Sequence, residues 1–355
     1  MAVDINSNTK RLNENNLAQK GVLLVNLGSP EKPETKAIRK FLREFLSDHR
    51  VLDIPFWARW LILRLFILPF RPGKIKERYQ KIWDGARFPL LKHGYELAGK
   101  VSRMLGEDYQ VELAMRYGSL SIESGLDRLR QSGINEIIVL PLFPQYSSAT
   151  TGSILEKVFE IIKQWDVIPA ISTITSFYNH PGFIKACVDN GKKYLEMEPD
   201  HILFSFHGVP ERHLLKSDLS GEHCLKVEDC CGRITSGNKT CYRAQCFNTA
   251  KLVAQGLDIQ EKDYTVCFQS RLGKTPWLQP YTNSTVKELA QGDVKFLLVF
   301  CLSFVADCLE TTEEILERET DNFLRNGGDR LDLVPSLNGN DEWARVITSM
   351  IINKS

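Results

Sequence analysis

The chain has 355 residues, enough for about two domains with cores of their own. Apolar residues make up 43% and charged residues 25%, which is ordinary for a folded soluble protein and excludes a largely disordered chain. With 45 Lys and Arg against 44 Asp and Glu the net charge is +1, so no overall field favours nucleic acid, and we expect no such partner.

The first segment, residues 1–20, is polar and lacks the apolar core of a signal peptide. We predict a flexible N-terminus there and a cytoplasmic location, where cysteines stay reduced.

The longest apolar stretch, Ile54 to Phe70, approaches membrane-spanning length but contains Arg59, Arg64 and prolines. These residues exclude a transmembrane helix. Two interpretations stay open: a buried helix, or a surface at a membrane interface with the arginine heads reaching towards lipid phosphates.

Five short apolar runs alternate with segments of helical periodicity, which is typical of parallel strands buried on both faces. The fold class is therefore α/β, doubly wound, with one set of strands before about residue 175 and another after about residue 200. The runs are GVLLVNLG, EIIVLPLF, HILFSFHG, YTVCFQSR and KFLLVFC, starting at 21, 136, 201, 264 and 295.

The ends of these runs are where ligand chemistry is expected, because open α/β sheets bind ligands beyond the carboxyl ends of their strands. His207 ends the third run and is followed by Gly208, which lets a ligand approach the backbone. A neutral imidazole there could act as a base or a metal ligand. A structural role is the alternative for a single histidine.

An acidic segment follows the last run, in the order Asp307, Glu310, Glu314 and Glu317. Spacings of three, four and three predict one face of an α-helix. Such carboxylates suit transient handling of a divalent cation such as Fe²⁺. A solvated helix face is the alternative.

Aromatic residues gather at the same strand ends, namely Tyr117, Tyr146, Trp277 and Phe304. Such rings bind flat ligands by stacking, although each alone is more often part of a core. Together with the histidine and the carboxylates they indicate a large planar substrate that meets a metal.

Five of the nine cysteines lie between Cys224 and Cys246. Four thiolates can hold zinc or an iron–sulfur cluster, and the absence of a C-x-x-C pair disfavours a zinc ribbon. Adjacent cysteines rarely point at one metal, so Cys230 is the weaker candidate beside Cys231.

Several motifs in order resemble the ferrochelatase family, whose members insert Fe²⁺ into a porphyrin. They are VNLGSP, FPQYSSATTGS, SFHGVP, FQSRLGKTPWLQPYT, FVADCLETTEEI and SLNGN. The resemblance covers Gly21 to Ile352 and implies two Rossmann-like, chelatase-type domains, each a parallel sheet flanked by helices, with the porphyrin between them. We place the domains at 21–178, with an apolar lip at 51–72, and at 179–330, with a Cys-rich insertion at 221–246; a C-terminal segment, 331–355, returns to the first domain.

The resemblance also implies residue roles. His207 looks like the active-site histidine and Glu310 like the carboxylate that faces it, both touching the substrate iron, with Asp307, Glu314 and Glu317 as a relay. Which of His207 and Glu310 takes the pyrrole protons stays open. The expected porphyrin-binding residues are Asn26, Leu27, Arg71, Tyr79, Arg116, Tyr117, Tyr146, Ser147, Trp277 and Phe304.

Two departures from the family pattern stand out. Residues Asp84 to Phe88 differ from the family after Tyr79, which puts propionate binding in doubt, and Ser148 stands where animal relatives have a cluster cysteine. The inserted cysteines resemble the internal cluster of some bacterial relatives instead. This implies a [2Fe-2S] cofactor on Cys224, Cys231, Cys241 and Cys246, with Cys230 as a substitute.

The expected function is therefore protoporphyrin ferrochelatase, with porphyrin and Fe²⁺ as partners and peripheral contact with the inner face of the membrane. A coproporphyrin ferrochelatase, a cobalt or nickel chelatase, and a haem or iron carrier are the alternatives. The sequence leaves the oligomeric state open.

Overall fold

The computed structural model describes residues 20–271, 273 and 275–354. Apart from Lys20, which begins the first strand, the predicted flexible N-terminus lies outside the described residues.

In the part of the chain that the structure describes, eight strands form two sheets, and the five predicted runs are all among them. The strands are β1 (Lys20–Asn26), β2 (Tyr109–Met115), β3 (Glu136–Pro141), β4 (Ala170–Thr173), β5 (His201–His207), β6 (Tyr264–Gln269), β7 (Phe296–Phe300) and β8 (Arg330–Val334). Those that sequence reasoning did not single out, β2, β4 and β8, carry more polar residues and are less buried.

Helices cover the faces of both sheets. They are α1 (Thr35–Ser47), α2 (Phe56–Ile62), α3 (Leu68–Lys81), α4 (Pro89–Leu105), α5 (Ile122–Gln131), α6 (Ser153–Ile162), α7 (Pro181–Leu195), α8 (Glu211–Ser217), α9 (Tyr242–Gly256), α10 (Thr282–Gln291), α11 (Thr320–Arg325) and α12 (Asp341–Ile352). Three π-helical segments, Leu63–Ile67, Ser148–Gly152 and Glu310–Glu319, lie among them.

Both sheets are parallel and have the same strand order. The first runs β2-β1-β3-β4 and the second β6-β5-β7-β8, so the second half of the chain repeats the topology of the first. This confirms the α/β class with two Rossmann-like halves. In each sheet the chain passes from the inner strand, β1 or β5, to the neighbour on one side and then crosses to the neighbour on the other side. The crevice at this change of direction is where such folds bind ligands.

The cores follow from the sequence of the central strands. In β1 the residues Val22 to Val25 are fully buried, because helices cover both faces of the sheet. The C-terminal segment is shared between the halves: β8 pairs with β7 in the second sheet, whereas α12 packs on α4 and α7.

The apolar stretch around Ile54 to Phe70 folds as α2, a π-helical turn and the start of α3. Its large side chains are exposed, at 73% for Phe56 and 70% for Trp57, so it is not an ordinary buried helix. Within the described residues no helix is long and apolar enough to cross a membrane. The exclusion of a transmembrane helix is confirmed.

Candidate active site

His207 lies at the carboxyl end of the central strand of the second sheet. Its ring Nδ1 is 2.7 Å from the carbonyl oxygen of Gly208. A carbonyl only accepts, so Nδ1 donates and Nε2 of the neutral ring keeps its lone pair for a proton or a metal. The ring of Phe304 meets the imidazole edge-on, with centroids 6.2 Å apart.

Gly208 is required by the crowding beside this histidine. A Cβ atom there would lie 2.9 Å from the carbonyl oxygen of Ser270 and 3.4 Å from the ring of Trp277. Real Cβ atoms do not approach a backbone oxygen so closely, so the strand ends β5 and β6 come together here because residue 208 is glycine. This contact places the half-buried Trp277 beside His207.

The acidic segment forms a helix, but the α-helical spacing assumed from the sequence is wrong. Glu310–Glu319 is π-helical, with hydrogen bonds from residue i to i+5, and Asp307 precedes it. The wider turn gives the four carboxylates different surroundings instead of one shared face.

Asp307 is engaged by the loop before α12. Its Oδ1 accepts from the N–H of Ser336 at 3.0 Å, and its Oδ2 accepts from Nδ2 of Asn338 at 2.7 Å. These bonds hold the loop that carries the SLNGN motif. The predicted relay role of Asp307 stays a prediction.

Glu310 begins the π-helix, and its carbonyl accepts from Nε2 of Gln269 at 2.8 Å, which ties the helix to the end of β6. Burial, and then the charge of Glu310, raise the pKa of Tyr79 well above its usual range, so a neutral phenol from the first half faces this carboxylate. Among the described residues Glu310 makes no ion pair, although its neighbours on the helix do.

The other glutamates of the π-helix pair with cations, and two of these cations, Arg78 and Lys81, lie on α3 of the first half. Glu313 is 3% exposed and lies 3.4 Å from Nε of Arg78 and 3.2 Å from Nε of Arg318. Glu317 pairs with Lys81. Sequence reasoning missed Glu313, although its position next to Glu314 of the predicted acidic face could have drawn attention to it. In the structure it is a buried carboxylate that links the two halves.

Glu314 faces a cavity of about 180 Å³ at the end of β6. Its Oε2 accepts from the hydroxyl of Ser270 at 2.6 Å and pairs with Arg318 at 3.2 Å. Of the predicted relay carboxylates it is the one placed beside open space.

Arg116 and Tyr117 form an internal network with two residues that sequence reasoning missed, Asp48 and Ser153. Arg116 pairs with Asp48 at 2.7 Å, and the phenol of Tyr117 and the hydroxyl of Ser153 donate to the same oxygen at 2.8 and 2.5 Å. Burial opposes ionisation of Asp48, but the hydrogen bonds from Ser153, the N–H of Arg50 and Tyr117, with the charge of Arg116, outweigh it and lower its pKa.

The other predicted porphyrin-binding residues lie at the strand ends of the first sheet or on α3. Asn26 caps the end of β1 by accepting from the N–H of Leu27 at 2.8 Å, and Ser147 accepts from the N–H of Ala149 at the start of a π-helical turn. Tyr146 is half-buried. Arg71, which is exposed, and Tyr79 share α3. Their contact with substrate stays a prediction.

The five clustered cysteines are buried and none is in a disulfide. The sulfurs of Cys230 and Cys231 lie 3.8 Å apart, so these adjacent residues do point into one site, and the reason given for setting Cys230 aside is wrong. Burial raises the pKa of the Cys224 thiol, and the neighbouring Cys241 thiol, followed by burial, raises that of Cys231. Burial raises the pKa of the Cys246 thiol.

The thiols supply enough sulfur donors for a metal or cluster, although among the described residues no three of their sulfurs lie within 4.8 Å of one another. The guanidinium of Arg243 donates to Sγ of Cys231 at 3.2 Å, and hydrogen bonds to ligand sulfurs are typical of iron–sulfur sites. Among the described residues, ligand atoms of Asp48, His49 and Glu156 do lie within 4.8 Å of one another, but arginines already pair with both carboxylates.

The exposed lip, residues 51–72, is joined to the second half through Asp53. Its Oδ2 is 2.6 Å from Nζ of Lys216 and 3.4 Å from Nε of Arg212, both on α8, which follows His207 closely in the chain. Of the three lip arginines, Arg59 is buried and donates to backbone carbonyls, whereas Arg64, stacked on Trp60, and Arg71 are exposed.

Comparisons with known proteins agree on a family. The sequence model described as Ferrochelatase matches residues 19–355. A ferrochelatase of Coxiella burnetii (strain RSA 493 / Nine Mile phase I) is 44% identical over 331 residues, 93% of this chain and 92% of that protein. A ferrochelatase of Legionella pneumophila (strain Lens) is 42% identical over 336 residues, 94% of this chain and 98% of that protein.

Solved structures give a weaker likeness. SirB from Bacillus subtilis with Fe³⁺ is 12% identical, with a TM-score of 0.49 and 95% of each chain covered. CbiX, described as the terminal enzyme for siroheme biosynthesis in denitrifying bacteria, is 14% identical, with a TM-score of 0.49 and coverage of 94% of this chain and 99% of that one.

We expect Glu313→Gln to lower the free energy of unfolding by about 1–2 kcal/mol, because it leaves two partly exposed arginines without their buried counter-charge. Urea denaturation measures the change. Asp321→Asn, in the exposed Asp321–Arg325 pair of α11, is the matched control and should lower the free energy of unfolding by less than about 0.5 kcal/mol.

A double-mutant cycle of Glu313→Gln with Arg78→Met should show coupling between the two residues. Equal urea midpoints for Glu313→Gln and wild type would contradict the link between the halves.

Proposed function

The chain belongs to the ferrochelatase family, and on that basis we propose that this metal-chelating enzyme inserts Fe²⁺ into protoporphyrin IX, giving protohaem and two protons, the last step of haem synthesis. The observation that carries the proposal is the geometry of His207. It lies at the switch point of the second sheet, and its Nδ1–H is held by Gly208, so Nε2 presents a lone pair beside the ring of Phe304.

His207 then accepts the pyrrole protons. A hydrogen bond from Nδ1 to a carbonyl stabilises the imidazolium that forms when Nε2 takes a proton, and it fixes the direction of the ring. Two protons leave the porphyrin for each iron that enters, so a base at this position has a task in every turnover.

Glu310 and Glu314 handle the iron. Carboxylate oxygens bind Fe²⁺ without the tight hold of thiolates, and Glu310 makes no ion pair among the described residues, so its charge is available to a cation. Glu314 lines the cavity at the end of β6 and would pass iron towards Glu310. Glu317, which pairs with Lys81, and Asp307, which is bonded to Ser336, do not line this cavity and are the weaker members of the proposed relay.

Protoporphyrin is the proposed substrate because the lip is strongly apolar and adds few basic side chains. Coproporphyrin carries four carboxylates and would need more cations to bind them. In the lip, Arg59 is used up by the backbone carbonyls of Leu52 and Ile54.

We expect His207→Ala to lose metal insertion by about 100-fold or more while the protein stays folded. Loss of free porphyrin fluorescence in anaerobic assays with Fe²⁺ measures the rate, in parallel on protoporphyrin and coproporphyrin. His201→Ala, at the opposite end of β5, is the matched control and should keep its activity.

Each alternative predicts a different outcome of that assay. Full activity in His207→Ala would overturn the mechanism, and faster turnover of coproporphyrin would overturn the substrate. Turnover with Co²⁺ or Ni²⁺ but not Fe²⁺ would indicate another chelatase. Porphyrin binding without insertion of any metal would indicate a carrier.

The buried cysteines are proposed to hold a [2Fe-2S] cluster, with Cys224, Cys231, Cys241 and Cys246 as ligands. Supporting this are their burial, the absence of disulfides among them, and the guanidinium of Arg243 on Cys231. Because Cys230 lies as close to Cys231 as a ligand would, it competes with Cys246 for the fourth place.

Protein purified without oxygen is expected to be coloured and to contain about two iron and two sulfide per chain. Visible absorption and iron–sulfide analysis measure this. The pair Cys246→Ser and Cys230→Ser identifies the fourth ligand, because only the ligand variant should lose the cluster. Cys187→Ser, a buried thiol on α7, is the control. A colourless protein with stoichiometric zinc would exclude the cluster.

The exposed lip is proposed to rest on a membrane, where an apolar porphyrin would arrive. Phe56, Trp57, Phe66 and Phe70 are between 62% and 73% exposed, and the guanidinium of Arg64 lies over Trp60. Aromatic side chains beside a cation are typical of interfacial surfaces.

We expect the double substitution Trp57→Ser and Phe66→Ser to weaken co-sedimentation with vesicles that contain phosphatidylglycerol about tenfold or more, because about two buried aromatic rings are lost from the bilayer. Val167→Ser with Ile168→Ser removes apolar residues that are equally exposed elsewhere and should leave binding unchanged. Equal loss in both pairs, or no binding by the wild type, would contradict a lip-specific contact.

A further inference from the structure

Tyr242 connects the cysteine site with His207. It is the first residue of α9, is only 8% exposed, and its hydroxyl lies 2.8 Å from the carbonyl oxygen of His207 and 3.0 Å from Oγ of Ser303. Since a carbonyl only accepts, the phenol donates to His207.

The hydrogen bond from Tyr242 takes the place of a strand-to-strand bond that β7 does not supply to His207. On the β7 side, the pairing of β5 ends at Phe204 with Phe300, three residues before His207. A buried carbonyl at a strand end needs a partner, and Tyr242 provides it. Ser303 holds the other side of the residue, because its Oγ is 3.4 Å from the N–H of His207. The backbone of His207 is therefore positioned by Tyr242 and Ser303 as well as by β6.

The same tyrosine is flanked by two of the cysteines. Cys241 precedes it at the N-terminus of α9, and Cys246 lies four residues later, on the same side of the helix. No side chain caps the start of α9. Gln245, at the end of the first turn, bonds to the backbone of Tyr146 and Lys239. The start of the turn depends in addition on what holds the thiol of Cys241, which neighbours that of Cys231.

We propose that Tyr242 is a positioning residue that transmits the state of the cysteine site to His207: when the thiols are held by a metal or cluster, α9 is fixed and its tyrosine hydroxyl holds His207 in place. Closely packed interiors transmit such shifts, and every link here is a covalent step or a short contact. The inference rests on the proposed function only for its activity assay, and any group that binds the thiols would satisfy it.

Tyr242→Phe tests the hydroxyl alone. We expect kcat to fall about fivefold with the KM for porphyrin unchanged, since one hydrogen bond that positions the base is lost and no porphyrin contact is removed. Tyr264→Phe, a half-buried tyrosine at the other end of β6, is the matched control and should keep both constants.

A second measurement does not depend on turnover. The rate at which diethyl pyrocarbonate modifies His207, followed by peptide mass spectrometry, is compared in protein reconstituted with ferrous iron and sulfide and desalted into EDTA, and in the same protein stripped of cluster. We expect stripping to change this rate about fivefold in wild type and in Tyr264→Phe, and to leave it unchanged in Tyr242→Phe.

Three outcomes would overturn the proposal: an equal change in Tyr242→Phe and wild type, no change in wild type, or no retention of iron and sulfide by the thiols. A protein that shows the expected modification rates but inserts no metal would refute the proposed activity and leave the link standing.

Discussion

The end of a central parallel strand is the constraint on which the candidate site depends. β1 and β5 each pair with a neighbour on both sides, and their carboxyl ends open into the crevice created where the chain changes direction in the sheet. Because the pairing of β5 with β7 stops at Phe204, the last residues of β5 are free of the sheet on that side. The backbone of His207 can therefore donate its N–H to Ser303 and accept from the phenol of Tyr242, which a residue within the sheet could not.

The near-neutral composition conceals a specific distribution of charge between the halves. The π-helix concentrates carboxylates, and α3 of the other half supplies Arg78 and Lys81 to neutralise Glu313 and Glu317. Glu314 pairs with Arg318 on the same helix. Glu310 makes no ion pair among the described residues, and after burial its charge is the main cause of the raised pKa of Tyr79. The helix as a whole is thus held by its ion pairs, and one carboxylate in its first turn is left without a cation partner among the described residues.

The sequence was sufficient to predict those features that depend on patterns along the chain. Continuous apolar runs predicted five strands, and the end of one run placed His207 at a strand end, because strand periodicity is local. The π-helix was not predictable in this way, since its pattern of charges fits an α-helix equally well. Asp48 and Glu313 act through partners about 70 and 235 residues away, Arg116 and Arg78, and no local pattern indicates such a distant partner. The prediction for Cys230 and Cys231 failed for the opposite reason. It relied on a local rule, that adjacent cysteines rarely point at one metal, and the turn at these residues brings both sulfurs to one side.

The arrangement also explains how one chain could use two kinds of metal-binding groups without mixing them. Thiolates bind iron far more tightly than a histidine with carboxylates, so a thiol that reached the porphyrin cleft would trap the iron that should be inserted. In this fold Tyr242 lies between Cys241 and Cys246 in the chain, and its phenol joins this segment to His207 by a hydrogen bond that carries no metal. A hydrogen bond between the two groups can transmit position without offering iron a ligand.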